Sequence, residues 1–333
     1  MSELKSAFVT GAGGFIGRHL VRQLLKENVQ VTALMMKGEP IPEGWGDNVK
    51  TVTGDVRRLV ELEPEIGAVD AIFHLAAVVG DWGARQEHID ITVKGTEQAI
   101  ELALAWDAHF VVTTSVCAYA SVLAKGKLDE TDAVGIPSSP YEFCKQEQER
   151  VTKEAVARGL KASIIRPGNV FGVESGPWVN TLLGMMREEK PCMVGNGDWD
   201  AGLVNVHNLV AMLIAAARSK STGAEIYNAA DGFGITWKEY MPRLAKAANV
   251  PAPKSVPLWL AKILAPTLEW LGHVTKRKER PLMTRQSFRL VGGPNEFSIA
   301  KAERELGYRP VMSFDDSMKE LEAYFAKNPN NDT

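Results

Sequence analysis

Val9-Thr10-Gly11-Ala12-Gly13-Gly14-Phe15-Ile16-Gly17-Arg18-His19-Leu20 is the stretch that decides the fold. It joins an apolar run of strand length, residues 7–10, to a helical pattern over residues 15–26. Glycine at 11 and 14 permits positive φ and lets the backbone close on a pyrophosphate with no Cβ in the way. The helix that follows offers free N–H groups and a partial positive charge to phosphates. Gly17 lets that helix lie close against the strands. A glycine triplet alone is weak; a strand before it and a helix after it make a dinucleotide-binding turn the stronger reading over a purely structural turn.

Outward from this turn, short apolar runs alternate with helical patterns. Residues 30–35, 51–53, 71–75, 110–114 and 162–166 read as strands, and 93–105 and 141–157 as helices. This rhythm predicts βαβ units and a parallel sheet buried on both faces. The fold class is therefore α/β, a Rossmann-like doubly wound sheet with a smaller, mostly helical substrate lobe. Residues 1–171 are expected to form the dinucleotide-binding domain, joined by return strands near 203–229. Residues 172–202 and 231–327 are assigned to the lobe, and 328–333 to a frayed tail.

The 333 residues are 45% hydrophobic and 24% charged with a net charge of −3, an ordinary globular mixture that excludes disorder and gives no general attraction to nucleic acid. Cys117, Cys144 and Cys192 are too few for a disulfide framework or a zinc site, so no metal is expected. The start of the chain runs directly into a strand pattern, and no uncharged apolar run reaches spanning length. The expectation is a cytoplasmic protein without a membrane span.

Tyr141-Glu142-Phe143-Cys144-Lys145 opens a helical pattern and places a phenol and an ammonium four residues apart on one face. A free tyrosine titrates near ~10, and a nearby cation stabilises its phenolate and lowers that value. Ahead of this helix, Val111-Val112-Thr113-Thr114-Ser115-Val116-Cys117-Ala118-Tyr119 ends a strand in hydroxyl groups. Ligands bind at that end of open α/β sheets; the plainer role of such hydroxyls is capping.

With its GxxGxxG spacing, the TGAGGFIG turn resembles the extended branch of the short-chain dehydrogenase/reductase superfamily, which includes sugar-nucleotide epimerases and hydroxysteroid dehydrogenases. The resemblance implies Ser115, Tyr141 and Lys145 as catalytic residues, with Lys145 also bonding the nicotinamide ribose. It implies a cofactor site from Gly11, Gly13, Gly14, Phe15, Ile16, Gly17 and Arg18 in the turn, with Asp55 and Val56 beside the adenine. Leu75, Ala76 and Ala77 at the next strand end, Thr113, and Pro167, Asn169 and Val170 of Arg166-Pro167-Gly168-Asn169-Val170-Phe171-Gly172 complete it. The resemblance extends over nearly the whole chain, with specific motifs up to Gly172, and it leaves homodimer formation open.

Relatives that prefer NAD carry an acid where Met35 stands, and those that prefer NADP often carry arginine where Met36 stands. With neither present, Met36 and Lys37 at the strand end, together with Arg18, point to NADP, a 2′-phosphate being reachable by Lys37 and Arg18; NAD is the alternative.

Dehydratases of the branch use an Asp-Glu pair where this chain has Val116 and Cys117, which makes the 4,6-dehydratase reading a poor one. Epimerases commonly bring an arginine to the substrate diphosphate in a segment that here reads Ala201-Gly202-Leu203-Val204-Asn205-Val206-His207-Asn208, without the arginine. Asn208, and runs around Arg280-Pro281-Leu282 and Phe297-Ser298-Ile299, resemble the 3β-hydroxysteroid and sterol dehydrogenase and ketone-reductase subgroup. The expected activity is interconversion of a secondary alcohol and a ketone on a hydrophobic or ring-bearing small molecule. A sugar-nucleotide epimerase with tightly bound NAD is the alternative, and a non-catalytic dinucleotide-binding protein the third reading. Val79, Trp82, Ser115, Cys117, Asn169 and Trp178 are the candidate substrate contacts. Basic residues gather over 273–289 beside the apolar stretch 258–271, which Lys262 and Glu269 interrupt; a solvated face, an anionic substrate handle and a membrane surface are the readings of it.

Overall fold

A computed structural model describes residues 3–219 and 222–328. Seven strands, β1 (Ser6–Thr10), β2 (Gln30–Met35), β3 (Val49–Thr53), β4 (Ala71–His74), β5 (His109–Thr113), β6 (Ala162–Pro167) and β7 (Ala224–Ala229), form one sheet. Their lateral order is β7-β6-β5-β4-β1-β2-β3, and every pairing is parallel. Val9 stands opposite Ala33 on one side and Phe73 on the other. The order reverses between β1 and β4, which opens a crevice at the carboxyl ends of the strands.

Parallel pairing needs crossover connections. Helices α1 (Phe15–Lys26), α2 (Lys94–Trp106), α3 (Pro140–Ala155) and α4 (Val206–Ala217) supply them and cover both faces. Successive side chains of a strand point to opposite faces. Accordingly Ala7 and Val9 pack with Leu20 and Leu24 of α1 and Leu209 and Leu213 of α4, whereas Phe8 packs with Ile100 and Ala103 of α2 and Val151 and Ala155 of α3. The central strands are largely apolar because helices cover both faces, whereas Lys50, Thr51 and Thr53 of the edge strand β3 meet water. This is the doubly wound α/β architecture that the sequence predicts.

The two later strand-like runs take different places. Residues 225–228 fall in β7, at the edge of the sheet beside β6. Leu203–Asn205 instead pairs with Asn169–Phe171 in a separate two-stranded ladder. The β6–β7 ladder ends where Pro167 meets Ala229, and the Gly168 N–H still bonds Ala229 O at 2.9 Å. The next N–H, of Asn169, has already moved to Gly202 O at 2.8 Å, which turns the chain out of the sheet.

Beyond the sheet, Phe171, Leu182, Met186, Trp237, Tyr240, Leu244, Phe314 and Met318 gather in a cluster of their own. Most of the lobe's large apolar groups thus serve packing, but Trp259 and Trp270 on α5 (Leu258–Val274) stand in solvent. Residues 329–333 of the expected tail lie outside the described residues. Among the described residues no helix is long and apolar enough to cross a membrane, and no group of three or more side chains could hold a metal ion. The three cysteines are free and buried.

Candidate functional site

The glycine turn sits at the crevice. Gly11 has φ +66, and a Cβ there would lie 2.9 Å from Ala76 N, so the ends of β1 and β4 abut. A Cβ on Gly17 would run into the Gly11 and Ala12 carbonyls, which fixes how closely α1 begins against the turn. Gly14 caps α1 without a side-chain bond, leaving the first N–H groups of the helix available to an anion.

The surroundings of the turn differ from the sequence expectation. Arg18 pairs with Glu174 at 3.1 Å. Met36 is 68% exposed and Lys37 also faces solvent. The carboxylate here is Glu39, which the sequence reading passed over. The chain folds back after β2, with Glu39 N bonding Met36 O at 3.0 Å. That turn brings the Glu39 side chain to accept from Met36 N at 2.9 Å and to lie over Gly13, where a Cβ would collide with it. Asp55 caps a 3-10 turn, accepting from Arg57 N at 2.9 Å; the Arg57 guanidinium holds its carboxyl below the usual range. Val56 is buried against Gly95. Leu75 N bonds Thr10 O at 3.3 Å, and Ala76 N bonds Thr10 Oγ1 at 3.2 Å.

Helix α3 begins at Ser139, whose hydroxyl accepts from Glu142 N at 3.0 Å, with Pro140 in its first turn. Tyr141 and Lys145 then share the face turned toward the end of β5. The Lys145 ammonium donates to Thr113 O at 3.0 Å and to Gln148 Oε1 at 2.8 Å, and lies 5.5 Å from the centre of the Tyr141 ring. The Tyr141 phenol is hydrogen-bonded with Ser115. Ser115 also accepts from Cys117 N at 3.1 Å, so it is a cap as well. The three side chains that the sequence singled out therefore meet. Burial drives the phenol of Tyr141 above its ordinary value despite the Ser115 bond, and lowers Lys145 to about 8. Desolvation of the phenolate, with Cys117 adding to it, sets the direction opposite to the one that spacing alone suggests.

A directional chain of hydrogen bonds runs from Lys145 back to the glycine turn. Gln148 Nε2 donates to Thr96 Oγ1 at 2.8 Å, and the Thr96 hydroxyl donates to Thr92 O at 2.7 Å. With that proton committed, Thr96 Oγ1 accepts from His74 Nε2 at 3.1 Å. His74 Nδ1 must then accept from the Thr10 hydroxyl at 2.9 Å, and the Thr10 oxygen takes the Ala76 N–H. One histidine tautomer satisfies every member. Burial lowers His74 to about 3, so it remains neutral. A second buried contact, Arg166 to Glu149 at 2.7 and 2.6 Å, ties α3 to β6. The Arg166 guanidinium covers the Tyr119 ring at 4.5 Å.

On the substrate side, buried Cys117 has Gln286 Nε2 at 3.6 Å from its sulfur, and Gln286 also bonds the Ser139 hydroxyl. Gln286, 169 residues away in the chain from Cys117, gave no signal in the sequence. Asn169 is buried, its amide donating to Ala201 O at 2.6 Å. Val170 packs on the sheet core and Pro167 pairs in β6. Trp178 lies between the lobe core and the cluster that holds Cys117 and Tyr141. Val79 is exposed. Trp82 is held at the end of α5, its ring 4.4 Å from that of His273 and its N–H on Arg277 O at 3.1 Å.

Residues 7–230 match the model of the NAD dependent epimerase/dehydratase family. The chain belongs to this family, within the extended short-chain dehydrogenase/reductase superfamily. It is similar to a 2-alkyl-3-oxoalkanoate reductase of Shewanella oneidensis, at 26% identity over 97% of this chain and 87% of that protein. A sterol-4-alpha-carboxylate 3-dehydrogenase (decarboxylating) of Mus musculus is 26% identical over 96% of this chain and 90% of its own length. In fold, the UDP-glucuronic acid 4-epimerase of Bacillus cereus in complex with NAD superposes at a TM-score of 0.72, with 20% identity over 98% of this chain and 100% of the other. MoeE5 in complex with UDP-glucuronic acid and NAD does so at 0.73, with 22% identity over 97% and 99%.

The expectation of NADP is overturned. The epimerase of Bacillus cereus and MoeE5 both hold NAD. The physical reason lies in the strand-end turn: a carboxylate, Glu39, stands by Gly13 and would repel a 2′-phosphate, while Arg18 is engaged by Glu174.

Proposed function

We propose that the protein binds NAD in the crevice beyond β1 and β4, and that Ser115, Tyr141 and Lys145 act on the CH–OH or C=O group of a small polar molecule beside it. The observation that carries this reading is the meeting of a phenol, an ammonium and a hydroxyl at the end of β5, facing the glycine turn. The residues present fit the dinucleotide. Gly14 leaves the first N–H groups of α1 open to a pyrophosphate, and the buried Thr113 hydroxyl has no partner among the described residues. Glu39 supplies the acceptor that a ribose diol needs.

NAD, when bound, supplies the acceptor of two electrons at its nicotinamide ring. The protein side chains do the rest. Ser115 holds the substrate oxygen and Tyr141 exchanges a proton with it. A buried phenol keeps its proton at neutral pH and so serves directly as the acid toward a carbonyl. In the opposite direction the Lys145 ammonium offsets the charge left on the phenolate. Positioned proton transfer of this kind contributes roughly 10²–10⁴-fold in rate.

Two fates of the carbonyl share this half-reaction. In the epimerase-type fate it is reduced again before leaving, and NAD is not consumed; the fold likeness to proteins solved with NAD and UDP-sugars supports this reading most. In the second fate the alcohol and ketone interconvert with net turnover of the cofactor. The reductase and dehydrogenase among the near-full-length relatives favour that one, as do buried Ala201 and Gly202 where the resemblance implies a phosphate-binding arginine. Absorbance of the purified protein decides between them. Stoichiometric bound NAD with interconversion of a UDP-sugar and no net NADH marks the first, and NADH consumption on a ketone panel marks the second. Failure to bind any dinucleotide would remove both.

A further inference from the structure

Helix α5 is apolar on its outer side as well as its inner one. Toward the protein it presents buried Ala261, Ala265 and Gly272, with Leu260, Leu264 and Leu268 half-buried beside them. The residues it presents to water are large and apolar: Trp259 is 66% exposed, Ile263 56%, Trp270 64% and Val274 59%. At about 100° per residue these four fall within roughly 60° of arc, which makes one continuous stripe. Surface helices of globular proteins put charged and polar residues on the outer face. Glu269, the acid that interrupts this stretch in sequence, points inward, accepting from Arg285 N at 2.7 Å and pairing with its guanidinium at 2.8 Å. The exposed stripe therefore carries no acid.

Cations border it. Lys262 is exposed on the helix, and Lys276, Arg277 and Lys278 are exposed just beyond its end, Arg277 in a surface pair with Glu279 at 3.4 Å, in a chain whose net charge is −3. The element is firmly seated, with Trp82 against His273, and with Arg280 bound to buried Asp81 at 2.5 and 2.9 Å. It lies outside the 7–230 family region. A 17-residue helix spans about 25 Å, and this one is not long and apolar enough to cross a bilayer.

We propose that α5 docks the protein on an anionic lipid bilayer. Trp259, Ile263, Trp270 and Val274 enter the acyl boundary, while Lys276, Arg277 and Lys278 meet lipid phosphates. An apolar stripe with tryptophans, bordered by lysine and arginine, is the composition of helices that lie in the membrane surface. A second copy of this chain fits less well: a symmetric pairing would bring two basic clusters onto one interface, whereas an anionic bilayer meets them with opposite charge. The inference does not depend on which carbonyl chemistry the crevice performs.

The test is co-sedimentation of the full chain with vesicles of phosphatidylcholine and phosphatidylserine, and with phosphatidylcholine alone. The protein should pellet with the mixed vesicles, leave the zwitterionic ones in solution, and be released as salt is raised. W259E/W270E, and separately K276S/R277S/K278S, should each lower the partition coefficient by at least about tenfold, with thermal melting and NAD binding unchanged. No binding of the intact protein to the mixed vesicles would overturn the proposal, as would equal binding by both variants. So would analytical ultracentrifugation showing a dimer that W259E/W270E converts to monomer, since the stripe would then belong to a second copy.

Discussion

The carboxyl end of the sheet and the outer face of α5 treat their side chains in opposite ways. Around Lys145 the polar groups are buried, and nearly every donor has one acceptor: Lys145 to Gln148, Gln148 to Thr96, His74 to Thr96, Thr10 to His74. On the outer face of α5, Trp259, Ile263, Trp270 and Val274 are in water and the fold makes no use of them. Buried polar networks of this kind orient groups at a cost in desolvation and fail sharply when one member is lost. An exposed stripe that none of the described residues covers costs the fold nothing to remove. One region is therefore built to hold groups still, and the other to meet something outside the molecule.

The largest expected break in this contrast is Glu149→Ala. It leaves the Arg166 guanidinium buried and unpaired beneath Tyr119, and stability should fall by about 3–5 kcal/mol, read from urea unfolding. Trp270→Glu, in the other region, should shift the same curve by no more than about 0.5 kcal/mol. Equal losses would dissolve the distinction. Next comes Gln148→Leu, which takes an acceptor from Lys145 and a donor from Thr96. A cost of about 1–3 kcal/mol is expected, with weaker NAD binding as the second readout; a variant matching the wild type in both would show the chain of bonds to be incidental.

Acid stability sharpens the comparison further. Burial lowers His19 and His109 to about 4 and His74 to about 3. In the unfolded chain each takes up a proton near pH ~6.5, so the unfolded state binds more protons below that value. Stability from these groups is complete above the unfolded pKa and is lost as pH falls toward 4, by up to about 1.4 kcal/mol per pH unit for each histidine. His74→Gln should flatten the slope of the urea midpoint between pH 6.5 and 4; an unchanged slope would mean that His74 is already charged in the native state. A smaller effect within the crevice is expected from Glu39→Gln, which removes a charged acceptor from its edge. NAD affinity should drop about tenfold, the value of one charge-assisted bond, and discrimination against NADP should narrow. Unaltered discrimination would take Glu39 out of the cofactor site.

Much of the crevice was legible because its signals are local. Gly11, Gly14 and Gly17 sit in one turn, and the four-residue spacing of Tyr141 and Lys145 alone places both on one helical face. What escaped depends on distant pairings or on how a loop closes. Glu39 reaches the glycine turn only because residues 36–39 fold back, so an inspection of Met35 found no acid. Gln148 and Glu149 act through Thr96 and Arg166, far along the chain. Composition revealed the apolar stretch 258–271 but not which face of it meets the protein, and Glu269 read as an interruption until its partner Arg285 placed it inside. Leu203–Asn205 had the look of a sheet strand, yet the turn at Gly168 gave it a different neighbour.

The central claim is that Tyr141 passes the proton while NAD lies in the crevice. Turnover of Tyr141→Phe, on whichever alcohol, ketone or UDP-sugar the intact protein converts, tests it most directly when measured beside the Kd for NADH. The account predicts that kcat falls by about 10²–10⁴-fold with nucleotide affinity unchanged. Undiminished turnover in that variant would contradict it.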